Sequence, residues 1–168
     1  LRSDIAVNLS AAWTRGTSLD REETSGIIST SVDALLSLTK YPSLIDNSTT
    51  TRSMGLLENM LARASWMRLT LNTATISGAA NVTSDLAQSP AVMSTAAGVR
   101  NVKAVVELIG EVLLLTVVVD GPQKTLACAG FSLSVRSASG LGTSKSAVLT
   151  SRNASVTFPR DLGGDALT

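Results

Sequence analysis

The sequence has no histidine and a single cysteine, and both scarcities exclude classes of function. Without histidine the chain has no Ser-His-Asp or Cys-His catalytic set, no His-ligated metal and no imidazole that titrates near neutral pH. Cys128 alone cannot form a disulfide framework or a cysteine-rich zinc site within this chain. We therefore expect a protein that is not an enzyme and that holds no metal or cofactor.

Charge, aromatic residues and long apolar runs are also scarce. Charged residues make up 16% of the chain and aromatic residues 3%, and the net charge of +1 supplies no basic footprint for nucleic acid. The most apolar window, Ala104 to Val119, contains Glu107 and Glu111 and is shorter than the roughly 20 apolar residues of a transmembrane helix. The start at Leu1, without an initiator methionine or a leader pattern, is typical of a piece of a longer polypeptide. We expect no nucleic-acid partner, and membrane attachment only through parts outside this fragment.

Serine and threonine are abundant, at 42 of 168 residues. With seven asparagines, this composition gives about two Asn-x-Ser/Thr sequons by chance, and the sequence has four, none with a central proline. This excess favours a secreted or cell-surface protein. We predict N-glycosylation at Asn8, Asn47, Asn81 and Asn153.

Apolar residues recur at helical spacing up to about residue 120. A first clear helix is predicted from Asp20, an N-cap with Glu23 three residues later, to the helix-breaking Tyr41-Pro42. Residues 46–51 are predicted to form a polar loop, and residues 54–71 a second helix.

Between the second helix and the strands the pattern is less uniform. Residues 72–88 fit either extended chain or a short helix. A third helix is predicted over residues 96–115, with Lys103 paired to Glu107 one turn later. Residues 113–119 are apolar on every side, which predicts a segment that is buried all round or that turns into a strand.

From Thr125 the period changes to two, which is typical of strands. Phe131, Leu133 and Val135 alternate with polar residues, and Gly130 is predicted to mark a bulge. The sequence then predicts a Gly/Ser turn over residues 137–145 and strands over residues 147–150 and 154–158, the last ended by Pro159. A mobile tail is predicted over residues 161–168. The expected fold is α+β: an N-terminal α-helical subdomain of three to four amphipathic helices (1–120), then antiparallel β-strands of an incomplete β-sandwich (121–168).

Few side chains suggest chemistry. Glu107 and Glu111 lie one turn apart but have no further metal ligands, so a solvated helix face is the better interpretation. Cys128 lies between two alanines, so we interpret it as a small apolar strand residue rather than a nucleophile. Residues 140–145 lack the spacing of a phosphate loop. Trp13 and Trp66 are expected to anchor a core or a groove.

The order of elements resembles the start of a GAIN domain, the extracellular module beside the membrane in adhesion receptors and polycystin-1-like proteins. The resemblance covers about 140 residues and rests on degenerate motifs. They are Leu19 to Glu23 before a helix, Val-x-x-Val-Val-x-x-Ile at Val102 to Ile109, Phe-x-Leu-x-Val at Phe131 to Val135, and Val-Thr-Phe-Pro at Val156 to Pro159.

The resemblance implies a non-catalytic extracellular module at the cell surface, including a ciliary membrane, that mediates protein–protein interaction and mechanical coupling in a receptor or channel complex. The implied partners are the remaining segments of its own parent polypeptide and a polycystin-2-like channel or other ectodomains. The self-cleavage site of that family is a His-Leu-Ser/Thr sequence, and a chain without histidine does not contain it. Autoproteolysis is therefore assigned to no residue here.

Two other classes of function stay open. Ser/Thr/Ala-rich helices with few charges suit a structural subunit of an extracellular filament or coat. An enzyme with an unrecognised site would need a ligand pocket lined by Glu107, Glu111 or Cys128.

Overall fold

The computed structural model describes residues 2–15, 20–41, 45–138, 142–151 and 154–162. The described part contains five helices of 14 to 20 residues, one helix of four residues, and four strands. In chain order they are α1 (Arg2–Arg15), α2 (Arg21–Thr39), α3 (Asn47–Trp66), α4 (Thr73–Ala87), α5 (Pro90–Met93), α6 (Ala96–Leu114), β1 (Lys124–Ala127), β2 (Phe131–Ala138), β3 (Gly142–Ser151) and β4 (Ala154–Leu162).

The predicted α+β order, helices first and antiparallel strands after them, is confirmed. The helical part has more elements than the sequence indicated: α1 and α5 were not predicted, and residues 72–88, which were left open, contain α4. The boundary expected at residue 120 falls in the connection between α6 and β1. The division into residues 1–120 and 121–168 stays a prediction.

Helix α2 begins and ends where the sequence predicted. The Asp20 carboxylate accepts a hydrogen bond of 2.8 Å from the Glu23 backbone N–H, which satisfies one of the unpaired amides of the first turn. The helix ends at Thr39 with Lys40 as its C-cap, two residues before Pro42. A β-region N-cap and a proline at the other end therefore set both boundaries.

The predicted polar loop over residues 46–51 is wrong, because these residues form the start of α3. Asp46 is the N-cap, and its carboxylate accepts hydrogen bonds from the Thr49 backbone N–H at 2.8 Å and the Thr49 hydroxyl at 3.0 Å. A run of Ser and Thr that looks like a loop is thus the first turn of a capped helix.

Helix α3 also ends five residues earlier than predicted, at Trp66. Arg68 adopts a left-handed backbone with φ 52°, and the Leu69 N–H donates to the Ala64 carbonyl at 2.9 Å. The Arg68 N–H donates to the Ser65 carbonyl at 3.0 Å, which completes a Schellman motif. A residue other than glycine in that position costs backbone energy, and the Arg21 guanidinium, which donates to the Arg68 carbonyl at 2.8 Å, helps to hold it.

The apolar segment over residues 113–119 neither stays buried nor becomes a strand. Helix α6 ends at Leu114, and Val118 and Val119 in the connection to β1 are 73% and 58% exposed. The turn is closed by Asp120, at φ 59°, whose N–H donates to the Ser137 carbonyl at 2.8 Å. This backbone bond to β2 fixes the connection without burying Val118 and Val119, whereas Val117 is half-buried against the core.

The four strands form one antiparallel sheet in the order β1-β2-β3-β4. Gly130 does not mark a bulge, contrary to the prediction. It lies with Ala129 in the two-residue turn of the β1–β2 hairpin, where the Cys128 N–H donates to the Phe131 carbonyl at 2.9 Å. The apolar alternation changes phase between Leu126 and Phe131 because the chain reverses direction there, and Leu126 pairs with Leu133.

For β3 and β4 only the backbone pairing is described, and both strands are longer than predicted. Most of the expected turn over residues 137–145 belongs to β2 and β3, with residues 139–141 outside the described part. Pro159 does not end its strand but pairs with Ser146 inside β4. This is consistent with the place of β4 at the edge of the sheet, where a missing N–H costs no ladder bond. Of the predicted mobile tail, residues 161–162 lie in β4 and residues 163–168 lie outside the described part.

Helices and sheet share one apolar core. Helix α4 lies at its centre and packs against α2, α3 and α6, while α6 also packs against β2. Phe131, Leu133 and Val135 of β2 are 1–2% exposed and belong to the same cluster as the helical core residues. The predicted alternation of β2 is confirmed, because its apolar residues are buried and Arg136 is exposed.

Candidate functional site

The described residues form an open cleft of about 500 Å³ between α2, α4 and the β1–β2 turn. Its volume lies within the range of small-molecule pockets, roughly 300–1,000 Å³. The lining combines polar and apolar side chains from the three elements: Leu36, Ser37 and Lys40 of α2 and its C-cap, Asn81, Ser84 and Asp85 of α4, and Ala129 of the turn.

A hydrogen bond between α4 and the turn fixes one wall of the cleft. The Gly130 N–H donates to the Ser84 hydroxyl at 2.8 Å, and Ser84 is 1% exposed. A Cβ on Gly130 would lie 2.9 Å from that hydroxyl oxygen, so a side chain at this position would have to displace the Ser84 hydroxyl. The hairpin is therefore held against α4 by a specific backbone contact as well as by the core.

The acidic group of the cleft, Asp85, is partly removed from water. Burial raises the pKa of the Asp85 carboxyl, and a hydrogen bond from the Thr39 hydroxyl, 3.5 Å away, acts in the opposite direction. Burial also raises the pKa of the Cys128 thiol, with a smaller contribution from the negative charge of Asp85. A thiol with a raised pKa stays protonated at neutral pH and is a poor nucleophile, which favours the structural interpretation of Cys128.

Three of the four predicted glycosylation sites lie in the described part, and all three asparagines are exposed on helices. Asn8 lies in α1, Asn47 is the first residue of α3, and Asn81 lies in α4. Asn153 lies outside the described residues. Modification at these four positions stays a prediction.

The hydroxyl residues of two sequons also serve the fold. Thr49 is fully buried and bonded to the Asp46 cap, and Thr83 is fully buried with its hydroxyl 2.8 Å from the Ala79 carbonyl. Part of the excess of sequons thus has a structural origin in helix capping and buried threonine.

The two glutamates of α6 have different surroundings. Glu107 forms the predicted ion pair with Lys103, with 3.9 Å between the charged atoms, on a half-exposed face. Glu111 does not lie on a solvated face, because it is half-buried and accepts a hydrogen bond of 2.8 Å from the Ser65 hydroxyl of α3. Within the part of the chain that is described, no three His, Cys, Asp or Glu side chains are grouped so that they could hold a metal ion.

The two tryptophans also differ. Trp13 packs against the core, with the Arg63 guanidinium 5.7 Å from its ring centroid. Trp66, expected to anchor a core or a groove, is 82% exposed at the last residue of α3. An exposed tryptophan is uncommon on a monomer surface and common in protein interfaces.

Sequence reasoning missed Lys40 and Asp85, which are 45 positions apart and meet only in the fold. The sequence contained a signal for the residues that α4 contributes to the cleft. Ser77, Asn81 and Asp85 repeat every four residues, which places them on one face once residues 72–88 are taken as a helix.

None of the helices in the described ranges is long and apolar enough to cross a membrane. No protein-family model matches the chain, and no curated protein matches its sequence.

Proposed function

We propose that the chain is a non-catalytic, extracellular, membrane-proximal module of a polycystin-1-like or adhesion-receptor-type surface protein. In this role it mediates protein–protein interaction and mechanical coupling within a receptor or channel complex. Its partners would be the other segments of its parent polypeptide and a polycystin-2-like channel or other ectodomains. The proposal extends to a surface location that includes the ciliary membrane.

The observation that carries the proposal is the packing of α6 against β2. The two motifs that resemble a GAIN domain, at Val102 to Ile109 and Phe131 to Val135, lie on these two elements, and both contribute buried residues to one core. A helical part packed against antiparallel strands supports the order of elements in the resemblance, while the β-sandwich that it implies stays a prediction.

A shared core also suits a mechanical role. Because α6 and β2 bury side chains against each other, a force on the strands is transmitted to the helices through packed side chains rather than through a linker. The Ser84–Gly130 and Asp120–Ser137 hydrogen bonds add two polar links, one from α4 and one from the connection after α6.

Peptide mapping of the protein from its native source tests the surface location. After proteolysis, glycopeptides that contain Asn8, Asn47, Asn81 or Asn153 are sought with and without glycosidase treatment. Hexose-bearing peptides at two or more positions, with labelling of the parent protein by a membrane-impermeant reagent on intact cells, are expected. An unmodified mass from a eukaryotic source and no labelling would contradict the proposal.

The exposed Trp66 favours a second candidate, a structural subunit of an extracellular filament or coat. Self-association through this side chain would appear as a concentration-dependent sedimentation coefficient that Trp66→Ser abolishes. Met93→Ser, which removes another exposed apolar side chain at 47% exposure, is the matched control. A wild-type chain that stays monomeric at high concentration would exclude this candidate.

A further inference from the structure

Asn81 occupies an unusual place, an exposed position on an otherwise enclosed helix. Helix α4 buries residues on nearly all sides, and within residues 75–86 only Ser77, Asn81 and Asp85 are not buried. These three are spaced by four and form one narrow stripe along the helix. A group attached to the Asn81 amide must therefore leave the helix along this stripe.

Two residues of the stripe, Asn81 and Asp85, line the open cleft. One wall is α2 with its C-cap, which contributes Leu36, Ser37 and Lys40, and the other includes Ala129 of the β1–β2 turn. The open cleft of about 500 Å³ is large enough for a single sugar ring with its substituents.

We propose that the first N-acetylglucosamine of a glycan on Asn81 packs into this cleft and stabilises the fold by joining α2, α4 and the β1–β2 turn. The inference rests on the proposed extracellular location, because only a chain that enters the secretory pathway receives such a glycan.

The chemistry of the cleft matches that of the sugar. The Asp85 carboxylate accepts hydrogen bonds from sugar hydroxyls or the acetamido N–H, and the Lys40 ammonium donates to the acetamido carbonyl. The Ser37 hydroxyl, which donates to the Asp33 carbonyl at 3.1 Å, still has oxygen lone pairs to accept a bond. Leu36 and Ala129 supply apolar surface for the acetyl methyl group or the ring face.

Neither Asn8 nor Asn47, the other described sequon asparagines, lines this cleft. Asn8 lies between the exposed Val7 and the half-buried Leu9, followed by the exposed Ser10 and Ala11, and Asn47 lies between the exposed Asp46 and Ser48. A glycan at either position extends into water from an open surface. These two sites are therefore matched controls for Asn81.

The test compares thermal midpoints of the chain secreted from eukaryotic cells, with occupancy at each sequon established by peptide mapping. Trimming with an endoglycosidase that leaves one N-acetylglucosamine on each asparagine is expected to preserve the midpoint. Asn81→Gln is expected to lower it by about 3 °C, whereas Asn8→Gln and Asn47→Gln leave it unchanged. Amide exchange at Gly130 should be several-fold slower when the Asn81 sugar is present.

The same variants made without glycosylation distinguish the effect of the sugar from that of the Asn81 amide. Without sugar, Asn81→Gln should have the same thermal midpoint as the unglycosylated wild type. Equal midpoints for glycosylated wild type and Asn81→Gln, or equal losses at all three positions, would overturn the inference and leave the surface location standing. Sugars at other sequons but not at Asn81 would have the same effect. A chain without sugar at any sequon would overturn the inference, and the proposed surface location would fall with it only if the labelling on intact cells failed as well.

Discussion

At the residue scale, buried hydroxyls explain part of the abundance of serine and threonine. Among the residues whose burial is described, ten Ser and Thr side chains are buried, and several bond to a backbone carbonyl one turn earlier. Thr24 to Asp20 at 2.6 Å and Thr50 to Asp46 at 3.0 Å are examples. A hydroxyl satisfied within its own helix is buried without a large desolvation cost. This explains how a chain with few charged residues and many hydroxyls builds an interior.

The hydroxyls of Ser53 and Ser84 predict opposite effects of the same substitution. Both residues are at most 1% exposed, but the Ser53 oxygen has no hydrogen-bond partner among the described residues, whereas Ser84 accepts from Gly130. Ser53→Ala should leave stability unchanged or raise it by up to about 1 kcal/mol, because a desolvated hydroxyl is removed from a helix. Ser84→Ala should lower it by about 1–3 kcal/mol. Urea unfolding compares them, and equal effects would contradict the assigned contacts.

Two aspartates predict opposite dependences of stability on pH. The folded-state pKa of Asp85 is raised, chiefly by burial, so its stabilising contribution is present below the unfolded pKa and is lost as pH rises through the folded pKa. Asp85→Asn should therefore be more stable than the wild type at pH 7, and this advantage should disappear towards about pH 3.

Asp46 is the control of opposite sign. Its pKa is lowered by hydrogen bonds from the Thr49 backbone and then the Thr49 side chain, so its contribution is present above the unfolded pKa and is lost as pH falls through the folded pKa. Asp46→Asn, which keeps a good N-cap, should be less stable than the wild type at pH 7 and equal to it in acid. Urea titrations at several pH values measure both, and parallel profiles would contradict the two causes.

At the element scale, the contact between α2 and α4 depends on a missing side chain. A Cβ on Gly78 would lie 2.8 Å from Val32 Cγ1 and 3.1 Å from Leu36 Cδ1, whereas a Cβ on Gly55 of α3 would meet nothing within 4 Å. Gly78→Ala should lower stability by about 1–2 kcal/mol, because overpacking outweighs the gain in helix propensity. Gly55→Ala should raise it by about 1 kcal/mol. If thermal unfolding showed a gain for both, the close packing of the two helices would be refuted.

How far the elements could be predicted depended on whether their signals were local. Helix α2 was predicted correctly from its N-cap Asp20 and the Tyr41-Pro42 stop. Helix α6 was predicted correctly from the regular spacing of Val102, Val106 and Ile109. Both signals are local, because caps and periodicity lie within a few residues of the element they define. Helix α1 had a weaker signal, with Ala6, Leu9 and Trp13 on one face among polar neighbours. The end of α3 could not be predicted, because the left-handed residue is Arg68 and not glycine.

The candidate cleft was even less accessible to sequence reasoning than the elements. Its residues come from α2, α4 and a hairpin turn, and no local pattern states that these elements meet. Because residues 72–88 were left undecided, the sequence did not indicate that Asn81 and Asp85 share a helix face. Because Gly130 was predicted to be a bulge, the turn that contributes Ala129 was not predicted. The sequon at Asn81 was recognised from sequence, but its place in the lining of the cleft was not, because that place is a property of tertiary packing.

At the scale of the whole molecule, the shared core predicts one cooperative unit. Phe131 is 1% exposed and lies on β2, yet it belongs to the cluster formed by the helices. Phe131→Ala should lower the free energy of unfolding by about 3–5 kcal/mol. The loss should appear equally in helical circular dichroism and in amide exchange of β2, because neither part keeps its core without the other.

Val118→Ala is the matched control, since this residue lies between α6 and β1 but is 73% exposed and should change stability by less than about 0.5 kcal/mol. The outcome also decides between one domain and the two subdomains predicted on either side of residue 120. If Phe131→Ala unfolded the strands while the helical transition kept its wild-type midpoint, the helices would be an independent unit. The transmission of force through α6 and β2 would then have no structural basis, and the proposed mechanical role would fail with it.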